Sequence, residues 1–248
     1  MTDPVLEMRG VSCRHAGRPV FDDVDMSIGA GERVALLGRN GAGKSTFLRC
    51  IMGLHRPSSG VIRILGKTCV TEQDFQSVRG LVGLVFEDSD DQLFCPTVIE
   101  DVMFGPINLG HSPALARSMA ERTLESLDLS NLADRVTHEL SGGRKRLVAL
   151  ATVLAMDPEL LLLDEPTNGL DAEAAEQLVQ HLEKLPQSLL LVSHDSRFID
   201  RLCDRALVLE AGSLRDAVVH EHSHLHSHNH PHIHVPNEAP VKTDHHAG

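Results

Sequence analysis

A glycine-rich segment ending in lysine and serine is the part of this sequence that points most directly to chemistry. The run Gly38-Arg39-Asn40-Gly41-Ala42-Gly43-Lys44-Ser45-Thr46 fits the pattern G-x-x-x-x-G-K-[ST] and lies between a predicted strand and a predicted helix ending at Gly53. Glycines let backbone N–H groups surround an anion, and the helix adds the positive end of its dipole. We predict a phosphate-binding loop in which Lys44 reaches β- and γ-phosphate oxygens and Ser45 ligates Mg²⁺. The alternative is a glycine-rich turn with an exposed lysine.

Two adjacent carboxylates follow an apolar run about 120 residues farther along the chain. Asp164-Glu165 comes directly after the four leucines of Leu160–Leu163. In open α/β sheets, ligands bind at the carboxyl ends of the strands. We predict that Asp164 holds Mg²⁺ and that Glu165 polarises the water that attacks a phosphate. The alternative is a strand end with two solvated acids.

A second candidate for anion binding precedes a predicted helix in the middle of the chain. The segment Leu140-Ser141-Gly142-Gly143 offers Ser141 as the N-cap and two glycines that leave room for an anion at the helix end. The alternative is an ordinary capped helix without a ligand.

Short apolar runs, each ending in polar residues, predict the sheet that carries these motifs. The runs are Arg33–Leu37, Leu81–Phe86, Leu160–Leu163 and Leu189–Val192. Runs of this length predict parallel strands buried on both faces, alternating with helices. We therefore predict an α/β fold with a mostly parallel sheet.

Two other regions depart from this alternation of strands and helices. Residues 1–32 are typical of an antiparallel β edge, and residues 88–157 predict a helical subdomain inserted into the sheet domain. Within the insertion, Ser112-Pro113 is a typical helix start for a helix reaching about Leu127. Leu147, Leu150 and Leu154 give a second helix its apolar stripe.

Composition narrows the possible partners and surroundings. The net charge of −12 among 248 residues disfavours binding to nucleic acid, because an acidic surface repels a phosphate backbone. No apolar run is long enough for a membrane span, and we expect no secretion signal. Five cysteines lie far apart, which favours reduced thiols acting as small buried hydrophobes: Cys13, Cys50, Cys69, Cys95 and Cys203.

The order of these motifs resembles that of ATP-binding-cassette ATPases over residues 1 to about 219. The resemblance implies a P-loop ATPase core that uses ATP and Mg²⁺ and works as a head-to-tail homodimer or heterodimer. It implies that ATP lies between one subunit's phosphate loop and the Ser141-Gly142-Gly143 segment of the other. It also implies that His194 contacts the γ-phosphate and that Asp171 belongs to a segment that communicates across the dimer.

Three positions depart from the pattern of that family. Glu87 stands where a glutamine usually contacts Mg²⁺, and its extra negative charge beside the γ-phosphate predicts slower hydrolysis. Arg144, directly after Leu140-Ser141-Gly142-Gly143, stands where the family usually has glutamine; it either contacts phosphate or the facing subunit, or is solvated. His15 aligns with the aromatic position on which adenine stacks, and a smaller ring predicts weaker stacking. The alternative for His15 is an exposed loop histidine.

The segment Phe86–Phe94, with the residues after it, resembles energy-coupling-factor ATPases, a subgroup that imports vitamins and transition-metal ions. This resemblance implies docking to a membrane-embedded scaffold near this segment, a separate membrane subunit that binds the substrate, and a location at the cytoplasmic face of the cell membrane. A generic surface of the helical subdomain is the alternative.

A histidine-rich segment occupies residues 220–248 and is predicted to lack regular structure. Neutral imidazoles suit Ni²⁺, Co²⁺ and Zn²⁺, so this segment is a candidate transition-metal site. The alternating candidates are His220, His222, His224, His226, His228, His230, His232 and His234. A purification tag and a solvated segment without a selected role are alternatives.

Taken together, these features favour the ATPase subunit of a nickel or cobalt importer. One alternative keeps the ATPase and changes the cargo to a vitamin such as biotin or thiamine. A second is a soluble ATPase of this family acting on DNA or ribosomes, and a third is a nickel-storage protein built on an ATPase scaffold.

Overall fold

The computed structural model describes residues 3–222 and 230–234, with the backbone alone from residue 218 onward. The described residues form two β-sheets with helices packed around them. The strands are β1 (Leu6–His15), β2 (Arg18–Ile28), β3 (Arg33–Leu37), β4 (Ser59–Ile64), β5 (Lys67–Cys69), β6 (Val82–Val85), β7 (Leu160–Asp164), β8 (Ser188–Val192), β9 (Arg205–Glu210), β10 (Ser213–His222) and β11 (His230–His234). The helices are α1 (Lys44–Ile51), α2 (Glu72–Gln76), α3 (Val98–Asn108), α4 (Pro113–Ser126), α5 (Gly142–Leu154), α6 (Ala172–Glu183) and α7 (Ser196–Leu202), joined in places by 3-10 turns.

The larger sheet has the order β11-β10-β9-β3-β8-β7-β6. Its strands β9, β3, β8, β7 and β6 are parallel, and β10 and β11 extend it as antiparallel edge strands. The four apolar runs of the sequence are all strands here, so the predicted parallel sheet is confirmed. All five residues of β7 and of β8 are buried, as expected for strands covered on both faces.

The smaller sheet is fully antiparallel, with the order β2-β1-β4-β5. Its pairing of β1 with β2 confirms the antiparallel edge predicted for residues 1–32. The strands β4 and β5 were not predicted; β4 pairs with β1, and Leu6 lies opposite Ile64. This sheet covers α1, the helix that follows the phosphate loop, and fixes the loop from one side.

Alternate residues of β7 and of β8 contribute to two apolar cores. Leu160 and Leu162 pack with β1, β2 and α1, whereas Leu161 and Leu163 pack with α3 to α7. The sheet is therefore held between an antiparallel layer and a helical layer. This arrangement fixes the carboxyl ends of β3, β7 and β8 relative to one another.

Between β6 and β7 the chain forms α3, α4 and α5, within the range predicted to be helical. The Ser112 side chain accepts a hydrogen bond from the backbone N–H of Leu115 at 3.3 Å, with Pro113 in the first turn of α4, as predicted. Ser141 occupies the N-cap position of α5, but its side chain makes no capping hydrogen bond. The predicted N-cap position of Ser141 is therefore confirmed, without a capping hydrogen bond from its side chain.

The end of the chain differs from the sequence expectation. Regular structure was not expected beyond residue 219, whereas the backbone pairs β10 with β11, with His220 opposite His232 and His222 opposite His230. The candidate ligands His224, His226 and His228 lie outside the described residues. β11 pairs only with residues 218–222 of β10, whereas residues 213–217 of β10 pair with β9.

Two further expectations from the sequence are that the cysteines are buried and that no segment spans a membrane. Cys13, Cys50 and Cys69 are buried as predicted, but Cys95 and Cys203 are only partly buried, so the prediction is wrong for these two. None of the helices in the described part of the chain has the length and hydropathy that a membrane span requires.

Candidate functional site

A polar cleft of about 900 Å³ opens at the carboxyl ends of β3, β7 and β8. It brings together residues from the phosphate loop, the acidic strand end and the segment that follows β8. Its lining comprises Asn40, Gly41, Gly43, Lys44, Ser45, Thr46, Glu87, Asp164, Glu165, Thr167, Asn168, Gly169, Ser193, His194, Asp195 and Ser196.

Glycines of the phosphate loop have a backbone conformation that residues with side chains rarely adopt. Gly41 and Gly43 have φ angles of +79° and +100°. A Cβ added at Gly43 would lie 2.3 Å from Cγ1 of Val20, so a side chain there would clash with the Val20 side chain of β2. The loop is therefore a cradle of backbone closed by α1, the arrangement that binds phosphate at a helix N-terminus.

Lys44 is held beneath this loop by backbone carbonyls. Its Nζ donates to the carbonyl oxygens of Gly38 at 2.8 Å and Arg39 at 3.4 Å, and the residue is 8% exposed. These bonds orient the ammonium group along the loop, and the N–H of Ala42 donates to the carbonyl of Arg39 at 3.0 Å to close the turn. Gly38 and Arg39 thus bind Lys44 through their carbonyl groups, and Ala42 contributes to the turn. These three residues do not line the cleft.

Asp164 and Ser45 face each other across the floor of the cleft. Burial raises the pKa of the Asp164 carboxyl, the hydrogen bond from Ser45 opposes this rise, and the nearby Glu87 carboxylate adds to it. The oxygens of Ser45, Asp164 and Glu87 form a hard donor set of the kind that Mg²⁺ prefers. Among the described residues no group of three or more His, Cys, Asp or Glu side chains could hold a metal ion, so this set depends on the serine.

Glu165 has an unusual backbone conformation at the end of β7. Its φ is 44°, in the left-handed region, and its N–H donates to the carbonyl of Val192 at 2.9 Å. Such a conformation costs about 1–3 kcal/mol for a residue other than glycine, and it turns the carboxylate into the cleft. Burial raises the pKa of this carboxyl, and the nearby His194 and Lys44 oppose the rise.

His194 lies between Glu165 and Lys44. Its Nε2 atom is 3.0 Å from Oε1 of Glu165 and 3.2 Å from Nζ of Lys44. Nε2 donates to the carboxylate when it carries a proton and accepts from the ammonium group when it does not. The imidazole can therefore exchange partners within the cleft without moving.

Glu87 follows β6 and is held by a residue from the far side of the cleft. Nδ2 of Asn168 donates to Oε1 of Glu87 at 2.8 Å. The preceding residue, Phe86, has both backbone groups paired with side chains. Its carbonyl accepts from NH1 of Arg146 at 2.7 Å, and its N–H donates to Oε1 of Gln92 at 3.2 Å.

Arg146 and Gln92 thus link Glu87 to α5. Gln92 also donates through Nε2 to the carbonyl of Ala149 and to Oγ1 of Thr152, both at 2.8 Å. Burial lowers the pKa of Arg146, which is 5% exposed, while Asp88 and Glu87 raise it. Sequence reasoning did not identify Arg146, Gln92 or the Asn168 contact, because no local pattern indicates a partner some 60 to 80 residues away.

Several predicted site residues lie elsewhere in the described chain. Asp171 accepts a hydrogen bond from the N–H of Ala174 at 2.8 Å and caps α6. Arg144 lines a separate cavity of about 380 Å³ together with His181 and Lys184. Besides Gly38, Arg39 and Ala42, the predicted nucleotide-site residues that do not line the polar cleft are His15, Ser141, Gly142, Gly143 and Asp171.

A third cavity, of about 630 Å³, lies beside the segment Phe86–Phe94 and is mostly apolar. Its rim includes Phe94 and Phe104, 63% and 46% exposed, whose rings meet edge to face at 4.7 Å. Gln92 lies in its wall. An exposed apolar patch of this kind is typical of an interaction surface.

Comparison with known sequences gives consistent matches. The family described as ABC transporter matches residues 21–168. A protein of Brucella suis biovar 1 (strain 1330), named as an ABC transporter ATP-binding protein, is 50% identical over 220 residues, 89% of this chain and 92% of that protein. The cobalt import ATP-binding protein CbiO of Rhodobacter capsulatus is 47% identical over 201 residues, 79% of this chain and 71% of that protein.

A third relative and a solved structure extend this comparison. The nickel import ATP-binding protein NikO of Rhodobacter capsulatus is 41% identical over 226 residues, 86% of this chain and 89% of that protein. The structure of CbiO1 from Clostridium perfringens, described as part of the ABC transporter complex CbiONQ, superimposes with a TM-score of 0.77 at 33% identity. That match covers 86% of this chain and 87% of the other.

Proposed function

This chain belongs to the ABC transporter family, whose ATP-binding subunits hydrolyse ATP, and from that premise we propose that it is the ATPase subunit of an energy-coupling-factor importer for nickel or cobalt ions. The observation that carries the proposal is the convergence of Lys44, Glu165 and His194 at one end of the cleft, beside the oxygens of Ser45 and Asp164. The names of relatives that import cobalt and nickel support the cargo.

In the proposed reaction the chain binds the triphosphate of ATP through the loop of residues 38–46. Lys44 neutralises charge on the β- and γ-phosphates, and Ser45, Asp164 and Glu87 provide oxygen ligands for Mg²⁺. When bound, Mg²⁺ would supply positive charge beside the phosphates. Glu165 accepts a hydrogen bond from the attacking water and orients it, and His194 contacts the γ-phosphate. The raised pKa of Glu165 makes its carboxylate a stronger proton acceptor than an exposed one.

We propose that the site is completed by a second ATPase subunit. The segment Ser141–Gly143 begins α5 and lies outside the cleft of its own chain, and a Cβ added at Gly142 would meet nothing within 4 Å. An open helix N-terminus of this kind can approach the phosphates bound to another subunit. Asp171, which caps α6, belongs to the segment proposed to communicate across the dimer.

The membrane-embedded scaffold is proposed to dock on the apolar cavity bounded by Phe94 and Phe104. A separate membrane subunit would bind the substrate, and docking to the scaffold would hold this chain at the cytoplasmic face of the cell membrane. Because Gln92 lies in the wall of this cavity and accepts a hydrogen bond from the N–H of Phe86, a partner seated there can act on Glu87 through Gln92 and Phe86.

The histidine-rich segment is proposed to bind a transition-metal ion such as Ni²⁺, Co²⁺ or Zn²⁺. The register of β10 with β11 supports this, because His220, His222, His230 and His232 occupy two directly opposed pairs of positions on one face. Equilibrium dialysis of the full chain with Ni²⁺ tests it, with the four histidines replaced by alanine in the comparison variant. We expect weaker Ni²⁺ binding by that variant; equal binding would contradict a role for these positions.

Cellular metal content tests the transport function. Nickel, cobalt, zinc and copper would be measured in cells lacking this chain, in cells with it restored, and in cells given the Lys44→Ala variant. We expect nickel or cobalt to fall without the chain and to return only with the unaltered chain. Unchanged metals in all three strains would overturn the metal-importer proposal and favour a vitamin cargo, which uptake of labelled biotin or thiamine would then test.

A further inference from the structure

Two histidines far apart in the sequence lie side by side at the end of β1. The ring centroids of His15 and His55 are 5.4 Å apart, and their planes are inclined by 39°. His15 is exposed at the end of β1, and His55 is half-buried in the segment that follows α1. Sequence reasoning singled out His15 alone.

His55 is tied to the backbone beside its neighbour. Its Nε2 lies 2.8 Å from the carbonyl oxygen of Arg14, an acceptor, so Nε2 carries the proton and donates it. This bond fixes the ring of His55 relative to the last peptide groups of β1. His15 is the residue after Arg14, and its imidazole therefore lies beside a ring that is fixed in place.

The segment that carries His55 is itself anchored at both ends. The backbone N–H groups of Leu54 and His55 donate to the carbonyl of Arg49 in α1, at 2.9 and 3.1 Å. At the other end, the N–H of Ser58 donates to the carbonyl of Ser12 in β1 at 2.8 Å. His55 thus bridges the helix that begins with Lys44 and the strand that ends with His15.

We infer that His55 is a positioning residue for the nucleotide base, holding the imidazole of His15 in the orientation on which the base stacks. The inference rests on the proposed function, in which His15 takes the adenine. A lone exposed imidazole would lose side-chain freedom on stacking, and a fixed ring beside it reduces that loss before the base arrives. Contact between the two rings adds a modest attraction of its own.

A metal site made by these two imidazoles is a weaker interpretation. Two imidazoles supply two ligands, and within the described residues no third histidine, cysteine, aspartate or glutamate joins them in a group that could hold a metal ion. The Nε2 atom of His55 is also occupied by its bond to the Arg14 carbonyl. Positioning of an aromatic base needs only the ring faces.

The experiment compares ligands with and without a base on the full chain. Dissociation constants for ATP and for inorganic tripolyphosphate would be measured for the unaltered chain, His55→Ala, His15→Ala and the double variant, with His111→Ala as the control. We expect His55→Ala and His15→Ala each to weaken ATP binding by about 2- to 10-fold. Tripolyphosphate binding should not change, because it depends on the phosphate loop.

The double variant separates positioning from an independent contact. If His55 acts through His15, the double variant binds ATP no more weakly than His15→Ala alone. Additive losses, or equal weakening of ATP and tripolyphosphate by His55→Ala, would overturn the inference. Loss of ATP affinity in His15→Ala without any loss in His55→Ala would overturn it too, while leaving the proposed role of His15 intact. No effect of His15→Ala on ATP would instead contradict the proposed base site, and the inference with it.

Discussion

Nε2 of His194 lies 3.0 Å from Oε1 of Glu165, with the carboxylate side chain 15% exposed and the imidazole 51% exposed. Burial raises the pKa of the Glu165 carboxyl above its ordinary value of 4.5. The folded chain therefore keeps a proton on Glu165 at pH values where the unfolded chain has lost it. As pH rises through the interval between the two pKa values, this group makes the folded state progressively less stable.

Glu165→Gln should therefore stabilise the nucleotide-free chain more at pH 8 than at pH 5. At pH 8 the unaltered chain holds a buried carboxylate, which the neutral amide replaces; at pH 5 the difference between the two side chains is smaller. Denaturant unfolding at both pH values measures the effect, with Glu125→Gln on the exposed face of α4 as the control. A larger gain at pH 5 would contradict the raised pKa.

ATP hydrolysis by Glu165→Gln should fall by about 10²- to 10⁴-fold.

Glu87→Gln should increase ATP hydrolysis by the isolated chain. The change removes one negative charge beside Asp164 and the proposed γ-phosphate position, and it keeps a carbonyl oxygen that can accept from Asn168. Steady-state hydrolysis across a range of Mg²⁺ concentrations gives both kcat and the Mg²⁺ dependence. Asp91→Asn, the same charge change in the same segment, serves as the control. If Glu87→Gln alters neither kcat nor the Mg²⁺ dependence, the hypothesis that the carboxylate of Glu87 slows hydrolysis fails.

Arg146→Met should destabilise the chain by about 1–3 kcal/mol, because the carbonyl of Phe86 loses its partner where water cannot fully replace it. It should also lower kcat, since Glu87 follows Phe86 directly. Lys145→Met is the matched control, because Lys145 forms a surface ion pair with Asp90 at 2.6 Å that contributes at most about 1 kcal/mol. Equal effects of the two substitutions would argue against a special role for Arg146.

The parallel sheet and the phosphate loop could be predicted because the responsible signals are local. Leu160–Leu163 is apolar throughout and ends in two acids, and this pattern alone indicates a buried strand that delivers polar groups to the ligand edge. The loop of residues 38–46 likewise contains its own glycines, lysine and serine. Nothing distant is needed to recognise either feature.

The contacts that were missed join residues far apart in the chain. β4 pairs with β1 across some 50 residues, and its sequence has no continuous apolar run to indicate a strand. Arg146 reaches Phe86, Gln92 reaches Ala149 and Thr152, and His55 reaches Arg14 only after the sheet and helices have assembled. Side chains of this kind follow from tertiary packing, which residue spacing does not encode.

Gly53→Ala should cost about 2–5 kcal/mol of folding free energy, from a left-handed backbone together with overpacking. Gly53 has a φ of +68°, and an added Cβ would lie 2.3 Å from Cγ of the Phe75 ring. Gly17→Ala is the control, because its φ is +78° but nothing lies within 4 Å of the added atom. Thermal unfolding should place Gly53→Ala several degrees below Gly17→Ala. Equal melting temperatures would mean that Phe75 moves aside at little cost.

Gly142→Ala tests whether a second subunit completes the site. In the isolated chain an added Cβ at Gly142 meets nothing within 4 Å, so stability should not fall, whereas hydrolysis should fall if this helix end approaches ATP on a partner. Lys44→Ala disables the other half of the same proposed site. In a head-to-tail dimer, a mixture of the two impaired variants forms heterodimers with one intact site, and these supply up to about a quarter of the unaltered activity. A mixture no more active than its components would mean that each chain must supply both parts itself.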